Sequence, residues 1–552
     1  MSRDLFTFLV GGKAGEGVKQ AGTAAARLFA QLGRYVFEYD DYPSLIRGGH
    51  NFTVVSSSTE PLYSPYLTAQ IAVVLDKRSY DAHIDHFCPD CLLVRNSDEV
   101  PEGAGIGLPI SSEAKKYPNA ELRRGLGAVV ALAAAVGMDE ASLEEMIHAE
   151  YARDVENNLA FAKGLFTLAQ QAFGGRFPLS EGNAQGALLT GNEAIALGAA
   201  SAGLDCYFSY PMTPSSSILH YLAAHDRDLG LVAMHPENEI SVANLAVGAA
   251  AMGARSAVAS SGGGFALMEE TLSLAGMMET PLLAILSSRP GPATGVPTYT
   301  EQGDLEFALH QGHGEFPRVV ASPGSLEEAF TLSADLLDLA WRYQVVAILL
   351  TEKHLGESLM TTSLNPTACP WAEPALWDGQ GQYKRYLDTE SAVSPMAFPP
   401  SDELINHNSY EHDELGITTE AAADLVQMHD KRLRKAATLE SALKQRQTIN
   451  VFGEEGPVIF TYGSTTLAVR EAVALTGLKA QIVQPIFLRP LPVWEVTRFA
   501  GQPLIVVEQS VSGQFARLLA EKAGLKADHV VRRYDGRPFE PTELAQQLRE
   551  VL

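Results

Sequence analysis

The sequence predicts a multidomain α/β protein whose main sheets are parallel and covered on both faces. Three observations predict it. Continuous apolar runs such as Leu5–Val10, Ala257–Ser260, Leu282–Ser287 and Val345–Leu350 lack the alternation of a half-solvated strand. Ala-rich helical stretches, among them 18–32, 124–138 and 191–202, fall between such runs. Glycine-rich turns join strand to helix at Gly11–Gly17 and again at Ser261–Gly264.

The elements set the expected domains. Leu5–Val10 reads as a strand ending at Gly11-Gly12, followed by a helix from Val18; Ile71–Leu75 and Leu92–Arg95 read as further buried strands. These place a first α/β domain at residues 1–178. The polar, Gly-rich stretch 174–185 is a linker. A second α/β domain follows at 185–356. In 357–450 the pattern weakens and prolines gather (Pro366, Pro370, Pro374, Pro395, Pro399, Pro400), so an extended inter-domain segment is expected, with a charged helix over 418–443. A last α/β domain at 451–552 opens on the run Pro457–Phe460.

Composition narrows the class. The 552 residues carry 41 Lys plus Arg against 66 Asp plus Glu, a net charge of −25. Such a surface repels nucleic acid and anionic membranes, so neither is an expected partner, and anionic ligands must meet local cations. Residues 1–10 lack signal-peptide character, and the longest apolar stretches are too short to span a bilayer, so a cytoplasmic location is expected. Four cysteines suit a reducing compartment. Cys88 and Cys91 form a lone Cys-x-x-Cys, with Cys206 and Cys369 far off, so no metal is expected on this chain.

Six stretches carry candidate chemistry. In Gly11–Gly17 the glycines let backbone N–H groups approach a phosphate at a helix N-terminus; the plainer reading is a tight turn. Arg47-Gly48-Gly49-His50 suits a loop over an anion, or a surface turn with a solvated Arg. In Tyr210-Pro211-Met212-Thr213-Pro214 two prolines hold the Thr213 hydroxyl, and Ser215 and Ser216 can cap the next helix. Glu237 and Glu239 enter an apolar helix, where a poorly solvated carboxylate can share a proton with a ligand nitrogen, or serve the helix dipole alone. Gly262-Gly263-Gly264 before Phe265 implies close approach to the backbone. Arg289, in the rigid loop running to Thr298, follows a strand end, where open sheets bind ligands; its guanidinium can grip a carboxylate.

Taken in order, these stretches resemble one family, the 2-oxoacid:ferredoxin oxidoreductases, in the arrangement where a gamma-type domain is fused ahead of the alpha subunit. The matching segments include Tyr210–Ser216, Glu239–Gly248, Arg289–Thr298, Glu301–Leu305, Gly312–Arg318, Ser394-Pro395, Glu411–Glu414 with Lys431-Arg432, and Tyr462–Thr465. The 2-oxoglutarate branch is the most similar. One departure is Ser261-Gly262-Gly263-Gly264, where the family usually carries a proline among the glycines.

The resemblance implies a gamma-type α/β domain, a thiamine pyrimidine-binding domain and a transketolase-C-like domain. It implies conversion of a 2-oxoacid and coenzyme A to acyl-CoA and carbon dioxide, with electrons passing to ferredoxin. Thiamine diphosphate is shared with a beta subunit that carries Mg2+ and a [4Fe-4S] cluster, in a dimer of alpha-beta heterodimers. Glu239 matches the carboxylate on the aminopyrimidine, with Glu237 the weaker candidate. Thr213, Arg289 and Thr298 match residues directed at the 2-oxoacid. Tyr210, Pro211, Gly262, Gly263 and Phe265 lie on the thiamine side; Gly12, Gly15, Glu16, Gly17 and Arg47 lie on the coenzyme A side. Pyruvate and branched-chain acids remain alternative substrates, and a non-catalytic nucleotide-binding scaffold is the alternative outside the enzyme class.

Overall fold

The computed structural model describes residues 4–44, 48–84 and 87–552. Its contacts form two compact units: residues 1–189 with 357–363 and 540–544, and residues 190–356 with 364–539 and 545–552. The chain is α/β throughout, as its sequence predicts.

The first unit is built on a mixed sheet. Its strands run Ile106–Leu108, Phe87–Asn96, Ala69–Val74, Leu5–Ala14, Gly48–Ser58, Tyr35–Asp41, Leu359–Thr362 and Ala187–Thr190. The Leu5–Ala14 strand is parallel to Ala69–Val74 and antiparallel to Gly48–Ser58. It continues past the expected stop at Gly11-Gly12, because Gly11 pairs with Phe52 and Gly12 with Asn51 before a register shift. Helix Val18–Gln31 buries Ala21, Ala25, Leu28 and Phe29, one helical face, against this sheet. Burying Leu28 and Phe29 alone is worth about 1.5–3 kcal/mol each. Helix Ala120–Val136 is buried nearly all round and ends on Gly137 at φ 81°, a left-handed C-cap that glycine adopts without strain.

The second unit holds two sheets. The larger runs Phe487–Arg489, Arg318–Ala321, Val346–Glu352, Leu282–Ser288, Ser256–Ser260, Cys206–Ser209 and Val232–Met234. All but the edge strand Phe487–Arg489 are parallel. The smaller sheet runs Ile449–Phe452, Gln481–Pro485, Val458–Phe460, Leu504–Glu508 and His529–Arg532. One hydrophobic core serves both, joining Phe265 and Leu286 to Val483 and Val506.

Within 357–450, Leu359–Thr362 is a strand of the first unit, paired through Leu359 with Glu38. The charged helix spans Ala422–Leu443, four residues shorter at its start than expected, and buries Met428, Leu439 and Leu443 in the second unit. It also buries Lys431 and Lys435, whose ammoniums both reach the buried carboxylate of Glu279. No described helix is long and apolar enough to cross a membrane.

Candidate functional site

The parallel sheet of the second unit brings four of the candidate stretches to one edge. Strands Cys206–Ser209, Ser256–Ser260 and Leu282–Ser288 are neighbours, with Ala259 opposite Ser209 and Ser260 opposite Leu286. The Thr213 loop, the glycine run and the Arg289 loop therefore all leave the sheet at its carboxyl end, the ligand end of open α/β sheets.

Glu239 opens helix Glu239–Ala251, whose N-cap Asn238 accepts a hydrogen bond from the Ser241 N–H at 3.0 Å. Its carboxylate is 4% exposed, whereas Glu237 is in the open. Ser260 Oγ lies 3.3 Å from Glu239 Oε1 and can donate to it. A Cβ on Gly264 would stand 2.1 Å from that same oxygen, so only glycine leaves the carboxylate where it is. The glycine run is a short helix, Gly262–Ala266, rather than an irregular loop. Phe265 is fully buried, edge-on to Phe307 in the core. Gly263 is open, its nearest Cβ neighbour being the Ala293 carbonyl at 3.7 Å.

Arg289 is 9% exposed and donates through Nη1 to the Thr213 carbonyl at 2.6 Å. Burial pulls its guanidinium below the ordinary value, and the Asp304 charge offsets part of that. Asp304, in the segment Glu301–Leu305, is a site residue to which the sequence assigns no role. Its Oδ2 accepts from Ser288 Oγ at 2.8 Å, and a Cβ on Gly262 would sit 2.9 Å from it. Burial pushes the Asp304 carboxyl up, against the Ser288 hydrogen bond and Arg289. The contacts thus close a ring: Glu239, Ser260 and Met212 on one side, and Thr213, Arg289, Asp304 and Gly262 on the other.

Other predicted residues fall around this ring. Tyr210 is partly exposed and stacks edge-on to His235, at 5.4 Å between centroids. Pro211 is exposed beside it. Thr298 is 5% exposed, and its hydroxyl and that of buried Ser261 have no hydrogen-bond partner among the described residues. Ser215 does not cap the next helix as expected; its hydroxyl donates backward to the Met212 carbonyl at 2.8 Å. The open backbone at Gly263, the orphaned hydroxyls and a buried acid suit a planar heterocycle, held by its edge, with an anionic substrate near Arg289.

The glycine loop of the first unit forms a separate candidate. Gly15, at φ 96°, has nothing near its Cβ position. Gly17, at φ 79°, heads helix Val18–Gln31, which has no side-chain cap and no acid in its first turn. An uncapped helix N-terminus beside open backbone fits a phosphate. A Cβ on Gly12 would stand 2.7 Å from Glu16 Oε2. The Glu16 carboxylate is engaged internally, accepting from the Lys13 N–H at 2.8 Å and from Arg124. Arg47 lies outside the described residues. His50, at the end of the same motif, stands 2.8 Å from His83 between Nε2 atoms, and burial draws it below the usual histidine value. Cys206 and Cys369 are free thiols.

Comparison with known proteins finds relatives along both units. A family model described as pyruvate flavodoxin/ferredoxin oxidoreductase, thiamine diphosphate-binding, matches residues 197–431. A second, described as pyruvate ferredoxin/flavodoxin oxidoreductase, matches residues 7–165. The chain is 26% identical to the 2-oxoacid:ferredoxin oxidoreductase subunit alpha of Saccharolobus solfataricus, over 99% of this chain and 98% of that one. It is 30% identical to the 2-oxoglutarate synthase subunit KorA of Archaeoglobus fulgidus, over 60% of this chain and 89% of that one. Among solved structures, the 2-oxoglutarate:ferredoxin oxidoreductase from Magnetococcus marinus, with 2-oxoglutarate, coenzyme A and succinyl-CoA bound, superimposes with a TM-score of 0.89. It is 31% identical, over 99% of both chains.

Proposed function

We propose a specific reaction for this chain, which belongs to the 2-oxoacid:ferredoxin oxidoreductases as an alpha subunit: the CoA-dependent oxidative decarboxylation of 2-oxoglutarate. The products are succinyl-CoA, carbon dioxide and two reduced ferredoxins, and a strong enough reductant reverses the reaction. The observation that carries this reading is the buried carboxylate of Glu239, set against Ser260 and a glycine that admits no side chain.

Thiamine diphosphate, when bound, supplies the carbanion stabilisation that the decarboxylation needs. Glu239 holds a proton toward the aminopyrimidine ring nitrogen, which lets the exocyclic amine act as a base. Ser260 fixes the carboxylate through its hydroxyl. Arg289 keeps one donor on the Thr213 carbonyl and offers its remaining N–H groups to the 2-oxoacid carboxylate, with the Thr213 and Thr298 hydroxyls beside it. Asp304 balances the Arg289 charge, so that the guanidinium remains tolerable in a half-dry site. Arg289→Ala should lower kcat/KM for the 2-oxoacid about tenfold to a hundredfold, the worth of a charge-assisted hydrogen bond, and leave thiamine binding intact. Steady-state kinetics on the assembled variant check it; wild-type efficiency would remove Arg289 from the site.

Coenzyme A belongs in the first unit, its phosphates on Gly12, Gly15 and Gly17, with Arg47 adding charge in an acidic protein. The Magnetococcus relative's bound 2-oxoglutarate and coenzyme A support both substrate assignments. A beta subunit completes the enzyme and carries Mg2+ and the [4Fe-4S] cluster; two alpha-beta pairs assemble in the cytoplasm and reduce ferredoxin. The helix bearing Glu239 supports a partner there, since Ile240 stands exposed next to the buried acid and Leu245 further along the same helix.

The test is to assemble the chain with its beta subunit and assay viologen reduction with coenzyme A across a panel of 2-oxoacids. 2-Oxoglutarate should give the highest kcat/KM, and the chain alone should hold no stoichiometric iron and reduce nothing. Preference for pyruvate or a branched-chain acid would overturn the substrate. No activity with any 2-oxoacid would leave the nucleotide-binding scaffold.

A further inference from the structure

The edge of the second unit's main sheet opposite Arg289 carries two arginines that form no ion pair among the described residues. Arg318 begins strand Arg318–Ala321 and pairs in register with Val346, whereas Ser288 pairs with Glu352 at the other end. At about 3.3 Å per residue the two ends stand about 20 Å apart. Arg489 ends the neighbouring antiparallel strand, opposite Val320.

Both guanidiniums are committed on one side only. Arg318 Nη1 donates to the Gln311 carbonyl, and Arg489 Nη1 donates to the Leu309 carbonyl. Arg318 is 6% exposed, its guanidinium lies 4.0 Å from the Phe316 ring centroid, and its Nε has no hydrogen-bond partner among the described residues. Burial first, and then the charge of Arg489, pull the Arg318 guanidinium down to about 10. Among the described residues no carboxylate offsets either group; burial draws Arg489 down. Two like charges brought together in a poorly solvated place are costly unless something anionic joins them. In a chain of net charge −25 an acidic neighbour would have been easy to supply.

Both arginines line one cavity of about 760 Å3. Gly312 and Gly314, at φ 85° and 75°, form part of its wall, and Leu433, Ala436 and Pro490 give it an apolar side. Two acids also line it: Glu440 is paired with Lys444 at 2.8 Å, and Glu315 is exposed. We propose that this cavity binds the phosphoryl group of a small organic phosphate, with Arg318 and Arg489 as paired guanidinium clamps and the apolar wall against its carbon skeleton. A tetrahedral dianion accepts from two forks at once, which a single carboxylate does less well.

The test is titration calorimetry on the full chain at constant ionic strength, with inorganic phosphate, glycerol 3-phosphate and succinate as probes. Saturable phosphate binding is expected, tighter for glycerol 3-phosphate than for inorganic phosphate and weakest for succinate. Arg489→Ala should weaken it about tenfold or more, as should Arg318→Lys, which keeps the charge and loses the fork. Lys13→Ala, at the glycine loop of the first unit, should leave it unchanged. If Arg489→Ala does not fold, Arg489→Lys serves in its place. No saturable binding by the wild type, or wild-type affinity in both arginine variants, would overturn the site. Loss only in Lys13→Ala would assign the phosphate to the first unit instead and overturn it too. Equal affinity for the two phosphates would overturn the organic ligand, and tighter succinate would overturn the phosphoryl group.

Discussion

Glu279→Gln should destabilise the folded chain by about 3–5 kcal/mol, the usual consequence of removing one partner from a buried ionic cluster. Glu279 is 2% exposed, and Lys431 and Lys435 are fully buried against it. Lys431 Nζ reaches both carboxylate oxygens, at 2.6 and 2.8 Å. Burial by itself would raise the Glu279 carboxyl, but Lys431 and then Lys435 hold it far below the ordinary carboxylate range. Burial pushes Lys435 down to about 7, even against the pull of Glu279. The signs follow. Glu279 contributes stability above the ordinary carboxylate pKa of about 4.3, and that contribution is lost as pH falls through its lowered folded value. The cost of charging Lys435 is fully present below about pH 7 and fades as pH rises toward its unfolded value, so this group makes stability rise with pH there. Chemical denaturation at several pH values measures both. Replacing all three side chains with apolar ones of similar volume should restore most of the loss. A Glu279→Gln midpoint equal to wild type would show that the cluster contributes nothing.

Glu239→Gln should lower turnover of the assembled enzyme by about 10²–10⁴-fold, the typical worth of a positioned proton transfer. Glutamine fills the same space, can still accept from Ser260, and meets the same glycine at 264. It cannot pass a proton to a ring nitrogen. Assembly and thiamine content should therefore survive while kcat falls. Glu237→Gln, on an exposed side chain two residues earlier, should change kcat little.

Much of this is legible in the sequence because its signals are local. Glycines 262–264 announce a close approach, and at Gly264 the approach is the Glu239 carboxylate. The apolar runs announce the parallel strands for the same reason. What the sequence hides is long-range. Asp304 acts through Gly262, 42 positions away, and through Ser288. The bond from Lys431 to Glu279 spans 152 positions. Leu359–Thr362, in a stretch where the periodicity weakens, is a strand only because it finds Tyr35–Asp41 more than three hundred residues earlier. The Ser215 cap fails for a local reason of another kind: its hydroxyl turns back to the Met212 carbonyl instead of forward into the helix.

The most direct test of the Glu239 assignment follows the C2 proton of bound thiamine diphosphate by NMR, as its exchange rate with deuterium. Assembled wild type, Glu239→Gln and Glu237→Gln would be loaded equally and compared. The assignment predicts that exchange slows by a factor of about 10²–10⁴ in Glu239→Gln and stays at the wild-type rate in Glu237→Gln. Wild-type exchange in Glu239→Gln, with slow exchange in Glu237→Gln, would contradict it and move the activating carboxylate to the other position; wild-type exchange in both would contradict activation by this chain.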